Sequence, residues 1–368
     1  MKIVQFIRPK AASESAHRVG FVQGQTVIDL TACPPYPTSI YEIYYAHGGR
    51  SEGLEKAVEG LDARDAPRLS LDDLLNNTSD PERPYLTLPV SPPPDAPHRL
   101  RVWLAGVTHA DSAQLREIEA KQATGASVNV YEQKYRECAR GGIPELFAKT
   151  DPEDLVGHGG RIARPPDTIR LVPETELVTV YGLNARGQVE RLGYTGGNDY
   201  TDNGIEAENP LNLPQAKNWH GGCASLGPVF VTGPEFDDTH VPVSCEIIRN
   251  GRRVAFKAGH TGRANLNMPD GLYHLERSLF GRLPLKADTL QIFYWGTPIV
   301  FAEGDLKNGL QEGDTVRMRF GGGIGTLENT ICAFPGIQQL QWLEERHRPI
   351  EARGVGATAH GRVPRDPV

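Results

Sequence analysis

The sequence predicts an α+β fold dominated by β-strands, with a smaller α/β unit at 1–95, a large strand-rich domain at 96–345 and a tail at 346–368. Three features carry this expectation. Strand-like runs punctuated by Gly, Pro and Asn dominate 146–332. Within the large domain, helical spacing is confined to an insertion near its start and segments near 270–281 and 336–346. The stretch SPPPDAPHRL at 91–100 breaks any regular element, so the domain boundary is placed there.

Taken in order, KIVQFI, RVGFVQ and QTVIDL alternate with turns, and QGQ at 23–25 reads as a hairpin loop. From 37 to 80, the segments YEIYYAHGG, GLEKAVEGL and LSLDDLLNN carry helical spacing. RVWLAGV then reads as a buried strand, and 109–140 as mostly helix, interrupted at TGASVNV. Two hairpins follow: LVTVYGL with QVERLGYT across NARG, and CEIIRN with RRVAFKA across Asn250-Gly251, the strongest local turn signal in the chain. LQIFYWG and TVRMRF add further strands. Asp270 is the expected N-cap of a helix over 270–281, and apolar spacing places another near 336–346. GGGIG at 321–325 lacks the Lys-Ser/Thr of a phosphate loop and reads as a tight turn. The Arg-, Gly- and Pro-rich end has no periodicity and reads as a tail lying on the surface or on a partner.

Composition narrows the partners. A net charge of −7 and a pI near 5.9 provide no basic field for nucleic acid or anionic lipid. No apolar run reaches spanning length, and MKIVQFIRPK lacks the pattern of a signal peptide. Cys33, Cys138, Cys223, Cys245 and Cys332 are scattered without a CxxC, against both a disulfide framework and a thiolate zinc site. The expected compartment is a reducing cytoplasm, with neither nucleic acid nor membrane as partner.

The chemistry is concentrated in PETELVTV at 173–180. Glu174 and Glu176 stand two apart at the head of a strand, so their side chains face one way and repel. LGYTGGNDYTD then ends a strand in a glycine turn that frees Asp199 to turn inward. Three converging carboxylates with no His or Cys suit a hard cation, Mg²⁺ or Mn²⁺. Lys217 follows eighteen residues later in PQAKNWHGGCASLGPVFV, where a positive charge would be stabilised by the acids and could anchor a substrate carboxylate or enolate. Alone, an ExE pair is ordinarily a solvated strand face, and a lone lysine a solvated side chain.

As an ordered set, ExE, GYTxGND, a lysine before GGCxxLGP, then GTPIV and LQEGDTVRMRFGGGIGTLENTI, the chain resembles the fumarylacetoacetate hydrolase family over roughly residues 100–335. The resemblance implies a mixed β-roll catalytic domain in a homodimer or higher homo-oligomer, with one divalent metal on Glu174, Glu176 and Asp199. Lys217 matches that family's active-site lysine, and Thr297 of WGTP its substrate-contacting threonine. It further implies a 2-oxo acid substrate, whose 2-keto group the cation polarises so that the C3 protons become acidic.

The chain departs from the hydrolases of that family in two respects. They carry GRNYxxH with a Glu three residues on, a dyad that activates water. Here AGVTHADSAQL places Ser112 at the histidine and Leu115 at the glutamate, with His109 at the tyrosine position, where it is read as structural. Glu145 of GGIPELFAK appears where hydrolases more often have an apolar residue; its bland reading is a solvated glutamate at a strand edge. Loss of the dyad and gain of this acid resemble the 2-keto-3-deoxypentonate (2-keto-3-deoxyarabinonate) dehydratase branch. The implied reaction is a lyase step of non-phosphorylative pentose catabolism. Lys217 or Glu145 takes a C3 proton, the 4-hydroxyl leaves, and tautomerisation gives 2,5-dioxopentanoate. Thr108, Ser112 and Thr297 are expected to hydrogen-bond the substrate. The rival readings are a metal-dependent hydrolase of a 2,4-diketo acid and a noncatalytic 2-oxo acid binding protein; the complete charged set argues against the latter. His220 is read as a surface-turn residue.

Overall fold

The structure, a computed structural model, describes residues 1–9, 16–46, 53–109 and 130–336. Met1–Phe334 form one compact unit; the second, Pro335–Val368, lies almost wholly outside the described residues, as do the expected helix near 336–346 and the tail.

A twelve-stranded mixed sheet organises the first unit. Lys2–Ile7, His17–Gln23, Thr26–Asp29 and Arg68–Ser70 form an antiparallel run at one end, with the expected loop at Gly24-Gln25. Lys2–Ile7 then pairs with Ala224–Thr232, and the sheet continues through Val189–Asp199, Thr175–Leu183, Leu290–Tyr294, Leu100–Gly106 and Glu145–Thr150. The segment 1–95 therefore joins the same sheet as the residues after the proline stretch. It also joins the same core: Ile3, Ile40 and Tyr44 pack in one buried cluster with Val178, Phe230, Ile292 and Tyr294.

The sheet is rolled, and chain length requires it. After Thr150 only four residues precede Leu155–Val156, which pairs in parallel with Ala224 and Ser225. On a flat sheet those partners would lie five strand spacings away, about 24 Å, whereas the linking segment reaches at most about 17 Å.

A second, five-stranded sheet runs Arg252–Thr261, Val241–Arg249, Thr315–Phe320, Gly325–Ala333 and Arg161–Arg164. Its Asn250-Gly251 turn has φ of 52° and 73°, the left-handed pair that a type I′ hairpin needs. The Phe320 ring packs flat on Gly196, where a Cβ would come within 2.4 Å of it.

Several local expectations are corrected. The helix expected from Asp270 is Leu272–Phe280, capped by Gly271 at φ 52°, with Asp270 contributing only its carbonyl to Tyr273 N. The ASLGPVFV part of the Lys217 segment is strand from Ala224 onward. Within 109–140, the described helix is Val130–Ala139, and the first six residues of TGASVNV lie outside the described residues. Two short helices, Asn203–Glu208 and Leu213–Lys217, were not anticipated; the first is capped by Asp202, whose carboxylate accepts from Gly204 N and Ile205 N. Among the described residues, no helix is long and apolar enough to cross a membrane.

Candidate metal centre

The hairpin Thr175–Leu183/Val189–Asp199 sets the acids in register. Glu176 lies opposite Gly197 and Thr175 opposite Asn198. Asp199 N donates to Glu174 O at 3.0 Å, and Glu174 N to the Asn198 side-chain carbonyl at 3.0 Å, so Glu174 and Asp199 are clamped at one level. Glycine is required opposite Glu176: a Cβ on Gly197 would lie 2.4 Å from the Tyr294 ring and 2.6 Å from Val178. The result is a buried cluster in which one carboxylate oxygen each from Glu174, Glu176 and Asp199 lies within 4.8 Å of the others.

Two lysines answer these acids. Lys217, the last residue of its helix, donates from Nζ to Asp199 Oδ2 at 2.6 Å, Glu174 Oε2 at 3.0 Å and Thr201 Oγ1 at 2.8 Å. Lys149 lies 2.5 Å from Asp199 Oδ1 and donates to Tyr200 O at 3.1 Å and to Lys217 O. Lys149 escaped the sequence reading, which stopped at Glu145 in the same strand. Its signal is a lysine in an apolar strand, ELFAKT, at a register shift: Val102 pairs with Thr150 but Trp103 with Ala148, leaving Lys149 as the extra residue of a bulge. Bulges commonly turn one side chain toward a site in this way.

The acids respond differently to this environment. Burial, then the charges of Asp199 and Glu174, push the Glu176 carboxyl well above its usual range, with partial relief from Lys217 and the Gly296 N–H. Burial also acts to raise Asp199, but Lys149 and Lys217 together outweigh it and hold that carboxyl low. Glu176 Oε2 accepts from Gly296 N at 2.7 Å, while its Oε1 is buried with no hydrogen-bond partner. An orphaned carboxylate oxygen among like charges, with an all-oxygen donor set, fits a hard divalent cation bound by Glu174, Glu176 and Asp199.

The remaining expected residues surround this centre at different ranges. Glu145 opens its strand opposite Gly106 and is half-buried, its carboxylate lying over that glycine. Leu104 pairs with Tyr294 and Tyr294 with Val178, so Gly106, Gly296 and Glu176 lie at one level across three neighbouring strands, two residues from the paired row. Glu145 thus faces Glu176 across a glycine floor, about 14 Å away between Cα atoms at ordinary strand spacing. Thr108 is buried and donates from Oγ1 to Trp295 O at 2.6 Å; Thr297 is buried and donates to Ile299 O at 2.7 Å while accepting from Ile299 N. Ser112 and Leu115 lie outside the described residues.

His109 is buried. Its Nδ1 sits 2.9 Å from Thr108 Oγ1 and its Nε2 3.1 Å from Thr261 Oγ1. Because the Thr108 hydroxyl proton goes to Trp295 O, Nδ1 carries the ring proton and Nε2 accepts. Burial pulls its pKa down to about 3, so the ring is neutral. His220 is exposed and pairs with Asp154 at 2.9 Å, in keeping with a surface turn.

Comparison with known proteins agrees with this geometry. The sequence profile described as fumarylacetoacetate (FAA) hydrolase, C-terminal, matches residues 112–332. A 2-dehydro-3-deoxy-D-arabinonate dehydratase of Saccharolobus solfataricus is 32% identical over 243 residues, covering 66% of this chain and 72% of that one. A probable 2-keto-3-deoxyxylonate dehydratase of Haloferax volcanii is 33% identical over 231 residues, covering 62% and 71%. In fold, a 2-keto-3-deoxy-D-arabinonate dehydratase solved with magnesium and 2,5-dioxopentanoate aligns over 90% of this chain and 99% of that one, with a TM-score of 0.65 and 24% identity. The fumarylacetoacetate hydrolase of Exiguobacterium antarcticum aligns over 90% and 99%, with a TM-score of 0.59 and 22% identity. Its rolled sheet, its buried acid cluster and these matches place the chain in the fumarylacetoacetate hydrolase family.

Proposed function

We propose that the chain is a Mg²⁺-dependent hydro-lyase that converts a 2-keto-3-deoxypentonate to 2,5-dioxopentanoate. The observation that carries this is the buried cluster of Glu174, Glu176 and Asp199 with Lys217 on two of its members, in a chain whose dehydratase relatives share about a third of the aligned residues. The chemistry supplied when the cation is bound is polarisation of the substrate's 2-keto group, which acidifies C3. The donor set suits Mn²⁺ as well.

The protein side chains divide the remaining work. The Lys217 ammonium already donates to three oxygens, so we assign it a fixed positive charge that favours the developing enolate rather than the role of base. The C3 proton then goes to Glu145, which is half-buried and shares a row with Gly106, Gly296 and Glu176. The C4–O bond breaks, the hydroxyl departs as water with a proton returned by Glu145, and the C3=C4 enone that remains tautomerises to the C5 aldehyde. Thr108 and Thr297 have each committed their one proton to a carbonyl, so they serve as acceptors for substrate hydroxyls rather than donors to its carboxylate. We include Ser112 as a further substrate contact, and we propose a cytoplasmic homodimer or higher homo-oligomer; five unpaired cysteines support that compartment.

Incubating the purified protein with Mg²⁺ and 2-keto-3-deoxypentonates, and following aldehyde formation, tests the reading. One product, the semialdehyde, is expected. Cleavage of an acylpyruvate to two acids with no aldehyde formed would replace dehydration by hydrolysis. Tight Mg²⁺ binding without turnover of any 2-oxo acid would indicate a binding protein.

A further inference from the structure

Lys149 is fully buried, yet the base-or-anchor chemistry assigned to Lys217 and Glu145 leaves it without a task. Its bulge lifts it out of the regular pairing of Glu145–Thr150 and turns its ammonium inward. There it touches the ligand Asp199, the carbonyl of Tyr200 next to it and the carbonyl of Lys217, while the Trp219 ring lies 5.7 Å away. One cation thus holds together the residue that binds the metal, the backbone following it and the helix end that presents the second lysine. The same short strand carries Glu145 at its start, so Lys149 also ties the acid's strand to the metal centre.

The charges give this arrangement a consequence. With all three carboxylates ionised, as cation binding requires, they outweigh the two ammonium groups by one negative charge. A dication turns that into one positive charge, which a single substrate carboxylate neutralises. Without Lys149 the loaded site would be neutral before substrate arrived and negative afterwards, in a water-poor interior where an unbalanced charge is costly. We propose that Lys149 is a positioning residue that fixes Asp199 and sets the loaded site at one net positive charge, selecting a monoanionic 2-oxo acid. This rests on the assignment of a divalent cation to Glu174, Glu176 and Asp199.

The test uses Lys149→Gln, which keeps a hydrogen-bond donor and removes the charge, with Mn²⁺ binding followed by electron paramagnetic resonance and steady-state kinetics with Mg²⁺. The two readouts should move in opposite directions: KM for the substrate rises by about tenfold, while Mn²⁺ binds as tightly as to the wild type or more tightly. A merely structural role would weaken both, and that result overturns the proposal. So does a KM within twofold of wild type. Failure of the wild-type protein to bind Mn²⁺ would instead remove the underlying assignment, and this inference with it. A stability cycle over Lys149→Met, Asp199→Asn and the double variant remains readable even if Lys149→Met folds poorly. The double variant should recover stability lost in Lys149→Met, because no buried charge is then left unpaired. Strictly additive losses would count against the ion pair.

Discussion

Gly106→Ala separates the role of Glu145 from that of the metal centre. A Cβ built on Gly106 lies 1.9 Å from Glu145 Oε2, 2.8 Å from its Cδ and 3.4 Å from its Cγ. Restoring the closest of these contacts to an ordinary 3.4 Å requires the carboxylate to withdraw by about 1.5 Å. The clash is with the far end of a flexible side chain, and Gly106 sits in an extended strand, so the fold should accommodate it with Tm changed by no more than about 2 °C. Catalysis should not tolerate it. Misplacing a reacting group by about 1 Å costs on the order of 100-fold, or about 2.7 kcal/mol of transition-state stabilisation. The expected outcome is a kcat lower by that factor, with Mn²⁺ affinity unchanged because Gly106 contributes nothing to the acid cluster. Adding Gly106→Ala to Glu145→Gln should cost little more. Wild-type kcat in Gly106→Ala, or a parallel loss of Mn²⁺ binding, would refute the placement of Glu145 as the proton carrier.

Other outcomes follow from the same geometry. Glu176→Gln deletes the charge whose Oε1 has no hydrogen-bond partner, so Mn²⁺ affinity should fall on the order of 100-fold, and the thermal stabilisation by Mg²⁺, about 2.7 kcal/mol at a hundredfold excess over Kd in the wild type, should shrink to about 0.4 kcal/mol at the same concentration. Gly197→Ala drives a methyl into the Tyr294 ring at 2.4 Å and should cost about 1–3 kcal/mol in urea unfolding while displacing Asp199 two residues on. His109 makes acid sensitivity measurable. It is folded as a neutral ring with a pKa near 3 against an ordinary 6.5, so the unfolded chain takes up its proton first. The stability His109 contributes is intact above pH 6.5 and is lost as pH falls toward 3, by up to about 1.4 kcal/mol per unit. Urea midpoints for His109→Gln should therefore fall less steeply than those of wild type between pH 6 and 5.

Much of the site was legible in sequence because its spacing obeys a local rule. Two residues apart on a strand means the same face, so Glu174 and Glu176 announced themselves, and the GND turn brought Asp199 back across the hairpin by one register. Lys217 was legible only through its resemblance to a family pattern, since nothing local says that a helix of five residues will aim its last side chain at a strand eighteen residues upstream. The Asp270 cap failed for a related reason. Gly271 can take φ 52° where Asp would be strained, and it moved the helix start by two residues.

By itself, the sequence determined the hairpins and the cation chemistry of the acids, because each depends on neighbours in the chain or on residue type alone. Only the tertiary structure decided that the sheet rolls, that Glu145 faces Glu176 across Gly106 and Gly296, and that Lys149 completes the charge around Asp199. Those facts depend on strands far apart in sequence becoming neighbours and on a bulge that reverses one side chain. Alternation along ELFAKT alone would leave Lys149 an unremarkable strand residue; the register shift opposite Val102 and Trp103 puts it in the site.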